Sequence, residues 1–108
     1  MSEAYLWALG LTLLVEVPVV AACFAGQRLR MATVCALTTT PTHLAMHFLL
    51  PGLLGEARHW VLVGELAVLL VEAAAYALLS RPRDLPRGAV ASALANGLSY
   101  GAGALLCR

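Results

Sequence analysis

Apolar residues run along this chain in four long blocks, at roughly 4–25, 32–50, 59–79 and 88–106, separated by short polar joins. Each block has about the 20 residues that a helix needs to cross the hydrocarbon core of a bilayer. The joins, Gly26 to Met31, Pro51 to Arg58 and Ser80 to Arg87, are short enough to make successive helices antiparallel neighbours. The blocks are continuous rather than alternating, which excludes the strands of a membrane barrel. The pattern predicts an all-α fold: an integral membrane four-helix bundle, one four-span domain over residues 1–108.

Composition strengthens this expectation. The chain is 61% hydrophobic and only 12% charged, where a soluble domain carries about 25% charged residues. So few charges cannot cover a water-facing surface of this apolar content. With a net charge of +1, the same figures exclude a disordered chain and a nucleic-acid binder. The three cysteines form no C-x-x-C pair, so neither a disulfide scaffold nor thiol redox chemistry is supported.

All basic residues are arginines, and they mark orientation. Arg28 and Arg30 lie in the first join, and Arg81, Arg83 and Arg87 in the third; opposite them stand only Arg58 and Arg108. That asymmetry puts joins one and three in the cytoplasm and both termini outside, in a bacterial inner membrane. Met1-Ser2-Glu3 lacks the positive start of a signal peptide, and Glu16 interrupts the first apolar block. Tyr5, Trp7 and Trp60 fall where interfacial anchors belong.

The segment Leu13-Leu14-Val15-Glu16 returns as Leu69-Leu70-Val71-Glu72, 56 residues later. The same offset pairs Thr40 with Asn96 and His43 with Ser99. The two halves then read as parallel two-helix repeats about an axis normal to the membrane, against convergent apolar composition around a shared Glu.

Within the blocks, the polar residues recur at helical spacing: Tyr5, Thr12, Glu16 and Cys23; Thr40, His43 and His47; Glu65, Glu72 and Tyr76; Ser92, Asn96, Ser99 and Gly103. Steps of three, four and seven keep each set on one helix face. In lipid such faces turn inward. A rise of about 1.5 Å per residue brings Glu16, His43, Glu65, Asn96 and Ser99 together near the midplane, with His47 above them and Glu72 with Tyr76 below. Pro18 and Pro41 each free a carbonyl and are expected to kink their helices. Ala93, Gly97 and Gly101 form a small-residue line suited to close helix contact, within the chain or across a dimer.

Glu16, Glu65 and Glu72 have no Lys or Arg within the blocks to pair with. Protonation, a proton shared with His43 or another Glu, or a bound cation would resolve that charge. His43 and His47, four residues apart, have the spacing of a two-histidine metal site. With Glu65 or Glu16 they make an N2O2 set suited to Zn, Mn or Fe, and haem or chlorin ligation by His43 or His47 is a lesser alternative. The plainer reading is interhelical hydrogen bonding, which suits Ser92, Asn96, Ser99 and the Thr38–Thr40 run. H-E-x-x-H, G-x-S-x-G and phosphate-loop motifs are absent, so an enzyme is the less favoured class.

The size, the four blocks and the midplane Glu of Leu14-Val15-Glu16-Val17 resemble the small multidrug resistance transporters. Pro41, His43, Glu65 and Glu72 are foreign to that family, and its function does not carry across. The residues themselves point to a small carrier or channel for protons or a divalent cation. Glu16, Glu65, Glu72, Asn96 and Ser99 form its binding set, His43, His47 and Glu65 are the metal ligands, and a homodimer or larger membrane partner completes it. The alternative is a non-catalytic accessory subunit of a larger membrane complex, with these residues as packing contacts or a cofactor ligand.

Overall fold

The computed structural model describes residues 3–49 and 60–106, with the side chains of 47, 49, 60–62 and 106 outside that description. Among the described residues all regular structure is helical. There are four long helices: α1 (Glu3–Cys23), α2 (Arg28–Leu44), α3 (Trp60–Leu79) and α4 (Leu85–Leu106). A 3-10 turn, Ala25–Gln27, links α1 to α2, and a π turn, Ala45–Leu49, prolongs α2. The second join, Pro51 to Arg58, lies outside the described residues, as do Cys107 and Arg108.

Two helices begin earlier than the apolar blocks. α2 starts at Arg28 because arginine is a good helix former, so the helix extends past the edge of the apolar run. α4 starts at Leu85, where the Asp84 carboxylate accepts from the Arg87 amide at 3.0 Å and caps the first turn. Pro86 sits in that first turn, where its missing N–H costs no hydrogen bond.

Both internal prolines are absorbed without ending their helices. Around Pro41 the side chains of neighbouring threonines return to the backbone. The Thr40 hydroxyl donates to the Ala36 carbonyl at 2.9 Å, and that of Thr42 reaches the Thr38 carbonyl at 3.0 Å. These bonds flank the carbonyl of Leu37 that the proline leaves without its helical donor. The backbone then widens into the π turn, an irregularity often found at functional sites.

α4 packs against α1 and α3, and α2 packs against the same two helices. Among the described residues α1 stands diagonally opposite α3, and α2 opposite α4, so the four faces look onto a shared interior. At the end that carries the first and third joins, this interior is filled by Val20, Phe24, Met31, Cys35, Tyr76, Ala91 and Ala95. α3 and α4 approach closely at Gly88, where a Cβ would lie 2.6 Å from the Ala77 nitrogen. Of the two uses expected for the small-residue line of α4, contact within the chain is not the one found. A side chain at Gly97, Gly101 or Gly103 would meet nothing within 4 Å, so this line makes no close contact within the chain.

The joins are tied down by polar side chains. Gln27 donates to the Arg81 carbonyl at 2.9 Å and accepts from the Arg81 amide at 2.7 Å. Arg30 donates to the Leu79 carbonyl at 2.7 Å, and Arg87 to the Cys23 carbonyl at 3.1 Å. Each cation thus sits on the last carbonyls of a helix, where the backbone dipoles favour positive charge. The arginines that mark orientation in the sequence also cap α3 and α1.

Leu14, Leu37, Leu70 and Leu98, one from each helix, are exposed, while Glu16, Thr39, Glu72, Ser80 and Ser92 are buried. Among the described residues α1 is the one helix long and apolar enough to cross a membrane, with mean hydropathy 2.0 in its most apolar window. α4 is diluted by Ser92, Asn96, Ser99 and its glycines, and α2 as an α-helix is 17 residues long.

Candidate functional site: a cavity lined with carboxyls

The inward faces of all four helices border one cavity of about 420 Å3. α1 contributes Thr12 and Glu16; α2 contributes Thr39, Thr42 and His43, with Met46 from the π turn; α3 contributes Glu65, Val68 and Glu72; α4 contributes Asn96, Ser99, Tyr100, Gly103 and Ala104. Glu16, His43, Glu65, Glu72, Asn96 and Ser99, spread over 84 positions of the chain, therefore meet in one place. The side chain of His47 lies outside the described residues.

Burial deepens along the cavity. Tyr100 is 66% exposed, Glu65 is partly buried, Glu16 is 2% exposed and Glu72 is fully enclosed. Below Glu72 lie Tyr76 and Cys35, members of the apolar cluster that closes the interior toward the joins. The cavity is blind at that end.

Glu72 is held by donors from three helices. Its Oε2 accepts from the Asn96 amide of α4 at 3.0 Å and from the Tyr76 hydroxyl of α3 at 3.2 Å. Its Oε1 accepts from the Thr42 hydroxyl of α2 at 3.3 Å. Asn96 is itself oriented, because the same nitrogen donates to the Ser92 carbonyl at 2.9 Å, and the Ser92 hydroxyl donates to the Leu69 carbonyl at 2.7 Å. Tyr76 also reaches the Cys35 sulfur at 3.4 Å, which lies 3.7 Å from the Thr39 hydroxyl. A connected polar chain thus runs from the cavity floor into the apolar cluster.

Glu16 is differently placed. Its carboxyl lies against that of Glu72 and the hydroxyl of Ser99, yet its Oε1 is buried with no hydrogen-bond partner. Buried polar oxygens are rarely left in that condition. Glu65 adds a third carboxyl that acts electrostatically on Glu72. His43 packs its ring against Tyr5, with centroids 5.5 Å apart and planes tilted by 49°.

Glu72, at the deep end of the cavity, touches Asn96 directly and faces Glu16. A count along each helix carries no information on how neighbouring helices are shifted against one another. Thr42 was missed by the sequence reading, which took Thr40 as the inward threonine. Both hydroxyls lie on their own helix backbone, Thr40 at the Ala36 carbonyl and Thr42 at the Thr38 and Thr39 carbonyls, and that of Thr42 also comes within 3.3 Å of Glu72.

Glu16, Glu65 and His43 all border the cavity. Among the described residues, however, no three His, Cys, Asp or Glu side chains are arranged to hold a metal ion. What the cavity offers chemically is a set of carboxyls with no fixed cation, one free acceptor oxygen, and an ordered hydroxyl and amide scaffold behind them. Comparison with known protein families, curated proteins and solved structures finds no match to this chain.

Proposed function

We propose that the chain is a small membrane carrier that binds protons or a cation in this cavity, as a four-span bundle in a bacterial inner membrane. The observation that carries the reading is Glu16: its Oε1 is buried without a hydrogen-bond partner, and its side chain lines a cavity with two more carboxyls. Facing carboxylates without a basic neighbour repel at short range in a low-dielectric interior, so a proton or a cation must stand between them. The blind end at Phe24, Met31 and Tyr76 favours a carrier over an open channel.

The membrane setting is supported by the exposed leucines of all four helices and by the buried polar residues. It is further supported by α1, only 11% of whose most apolar window is buried. The cytoplasmic assignment of the first and third joins follows the arginines. Four spans seldom enclose a pathway alone, and the open line at Gly97 and Gly101 is suited to a second copy or a larger membrane partner.

The accessory-subunit reading is favoured by a different observation, the satisfied hydrogen bonding of Glu72, which is what a packing contact looks like. Reconstitution separates the two. Purified protein in liposomes should move protons or Mn2+ down an imposed gradient, and Glu16→Gln should abolish the flux while keeping the helical circular dichroism. No flux from the wild type, with stable co-purification of larger subunits, would leave the accessory role standing.

A further inference from the structure

The end of the bundle that carries the first and third joins holds Arg28, Arg30, Arg81, Arg83 and Arg87, all exposed. The reciprocal bonds between Gln27 and the Arg81 backbone set the two joins side by side, so these cations share one surface. Two of them are engaged within the chain. Arg30 donates to the Leu79 carbonyl, and Arg87 to the Cys23 carbonyl and the Asp84 carboxylate. Asp84 is the one acid in the two joins. Among the described residues no carboxylate pairs with Arg28, Arg81 or Arg83.

Helix stability does not account for Arg28. It opens α2, whose first turn contains no acidic residue and has no side-chain cap. Positive charge at a helix start opposes the backbone dipole, and an anion from outside the chain would offset it. The surroundings favour one kind of anion. Leu29 is 83% exposed and Leu85 70%, and Leu78 and Leu79 are exposed at the end of α3, beside the same joins. A soluble anion would leave these side chains in water. A phospholipid covers them with its acyl chains while its phosphate meets the guanidinium groups, which bind phosphate through paired N–H donors.

We infer that Arg28, Arg81 and Arg83 bind the phosphate headgroup of an anionic phospholipid across the two joins, with Leu29 and Leu85 against its acyl chains. This rests on the membrane setting of the proposed function and is independent of what the cavity binds. The lipid holds the α1–α2 and α3–α4 hairpins together at the end that Phe24, Met31 and Tyr76 close. Each arginine beside an anionic leaflet strengthens binding roughly fivefold, so removing all three should weaken it by more than about tenfold.

Native mass spectrometry of the full-length protein in detergent, supplied with phosphatidylglycerol and phosphatidylcholine of the same acyl chains, reads the preference directly. The wild type should retain phosphatidylglycerol. Arg28→Gln, Arg81→Gln and Arg83→Gln together should bring the two lipids to parity, and Arg108→Gln should change nothing. Equal retention by the wild type, or a preference that survives the triple replacement, overturns the inference. Should the triple variant fail to fold, the wild type in raised NaCl decides: the preference falls as salt screens the arginines, and a preference indifferent to salt overturns the site. Glycerol phosphate or polyglutamate that raises the unfolding midpoint as much as phosphatidylglycerol would assign the patch to a soluble anion and overturn the lipid. Release of the chain from cell membranes by alkaline carbonate would refute the membrane setting itself. Retention in the membrane without a phosphatidylglycerol preference would refute this inference alone.

Discussion

Asn96 of α4 donates to Glu72 of α3 at 3.0 Å while the same nitrogen donates to the Ser92 carbonyl at 2.9 Å. The second bond orients the amide, and the first joins the Tyr76 and Thr42 hydroxyls in holding the Glu72 carboxyl between helices. Removing the side chain leaves a buried acceptor short of a donor, at a cost of about 1–3 kcal/mol. Asn96→Ala is expected to lower the thermal unfolding midpoint measured by circular dichroism, and Asn96→Asp to lower it further by setting a second carboxyl against Glu72.

Gly88 packs where no Cβ fits, 2.6 Å from the Ala77 nitrogen. The obstruction is backbone, which cannot turn aside as a side chain does. Gly88→Ala should therefore cost about 1–3 kcal/mol through forced separation of α3 and α4. Gly97→Ala meets open space and should leave the stability of the chain itself unchanged. A shift in oligomeric state for Gly97→Leu, read by analytical ultracentrifugation in detergent, would mark that line as a contact with another chain.

Gln27 makes two reciprocal bonds with the Arg81 backbone. Its replacement by Ala removes both at a solvent-facing site, where each is worth about 0.5–1.5 kcal/mol. Faster amide hydrogen exchange at Ser80 and Arg81 is the expected reading, with the helix cores protected as before.

Phe24 closes the blind end with Met31 and Tyr76. Phe24→Ala opens a void in that cluster and should destabilise the protein by about 3–5 kcal/mol. If the cluster seals the cavity as the carrier reading holds, the variant will also leak protons in liposomes. A tight vesicle would argue that the seal lies elsewhere.

The proposed topology makes a direct forecast. In a cysteine-free background, a cysteine placed at Arg83 should react with a membrane-impermeant maleimide only after the cytoplasmic face is exposed, and one at Glu56 from the outside of intact cells. Labelling of both from one side would remove the four-span arrangement.

The chain's alternation between apolar blocks and polar joins was enough to predict helices, because a block of some 20 apolar residues has few other ways to satisfy its backbone. Spacing by three, four and seven also sorted Glu16, His43, Glu65, Asn96 and Ser99 onto inward faces, and the cavity contains them all. Helix periodicity is a local property, written in the order of residues. What the order could not carry is the shift of one helix against the next. That shift set Glu72 against Asn96, brought Gly88 against Ala77, and set Arg30 and Arg87 on helix ends. It is decided by packing between residues far apart in the chain. The same packing made two similar glutamates unlike, surrounding Glu72 with donors and leaving an oxygen of Glu16 bare.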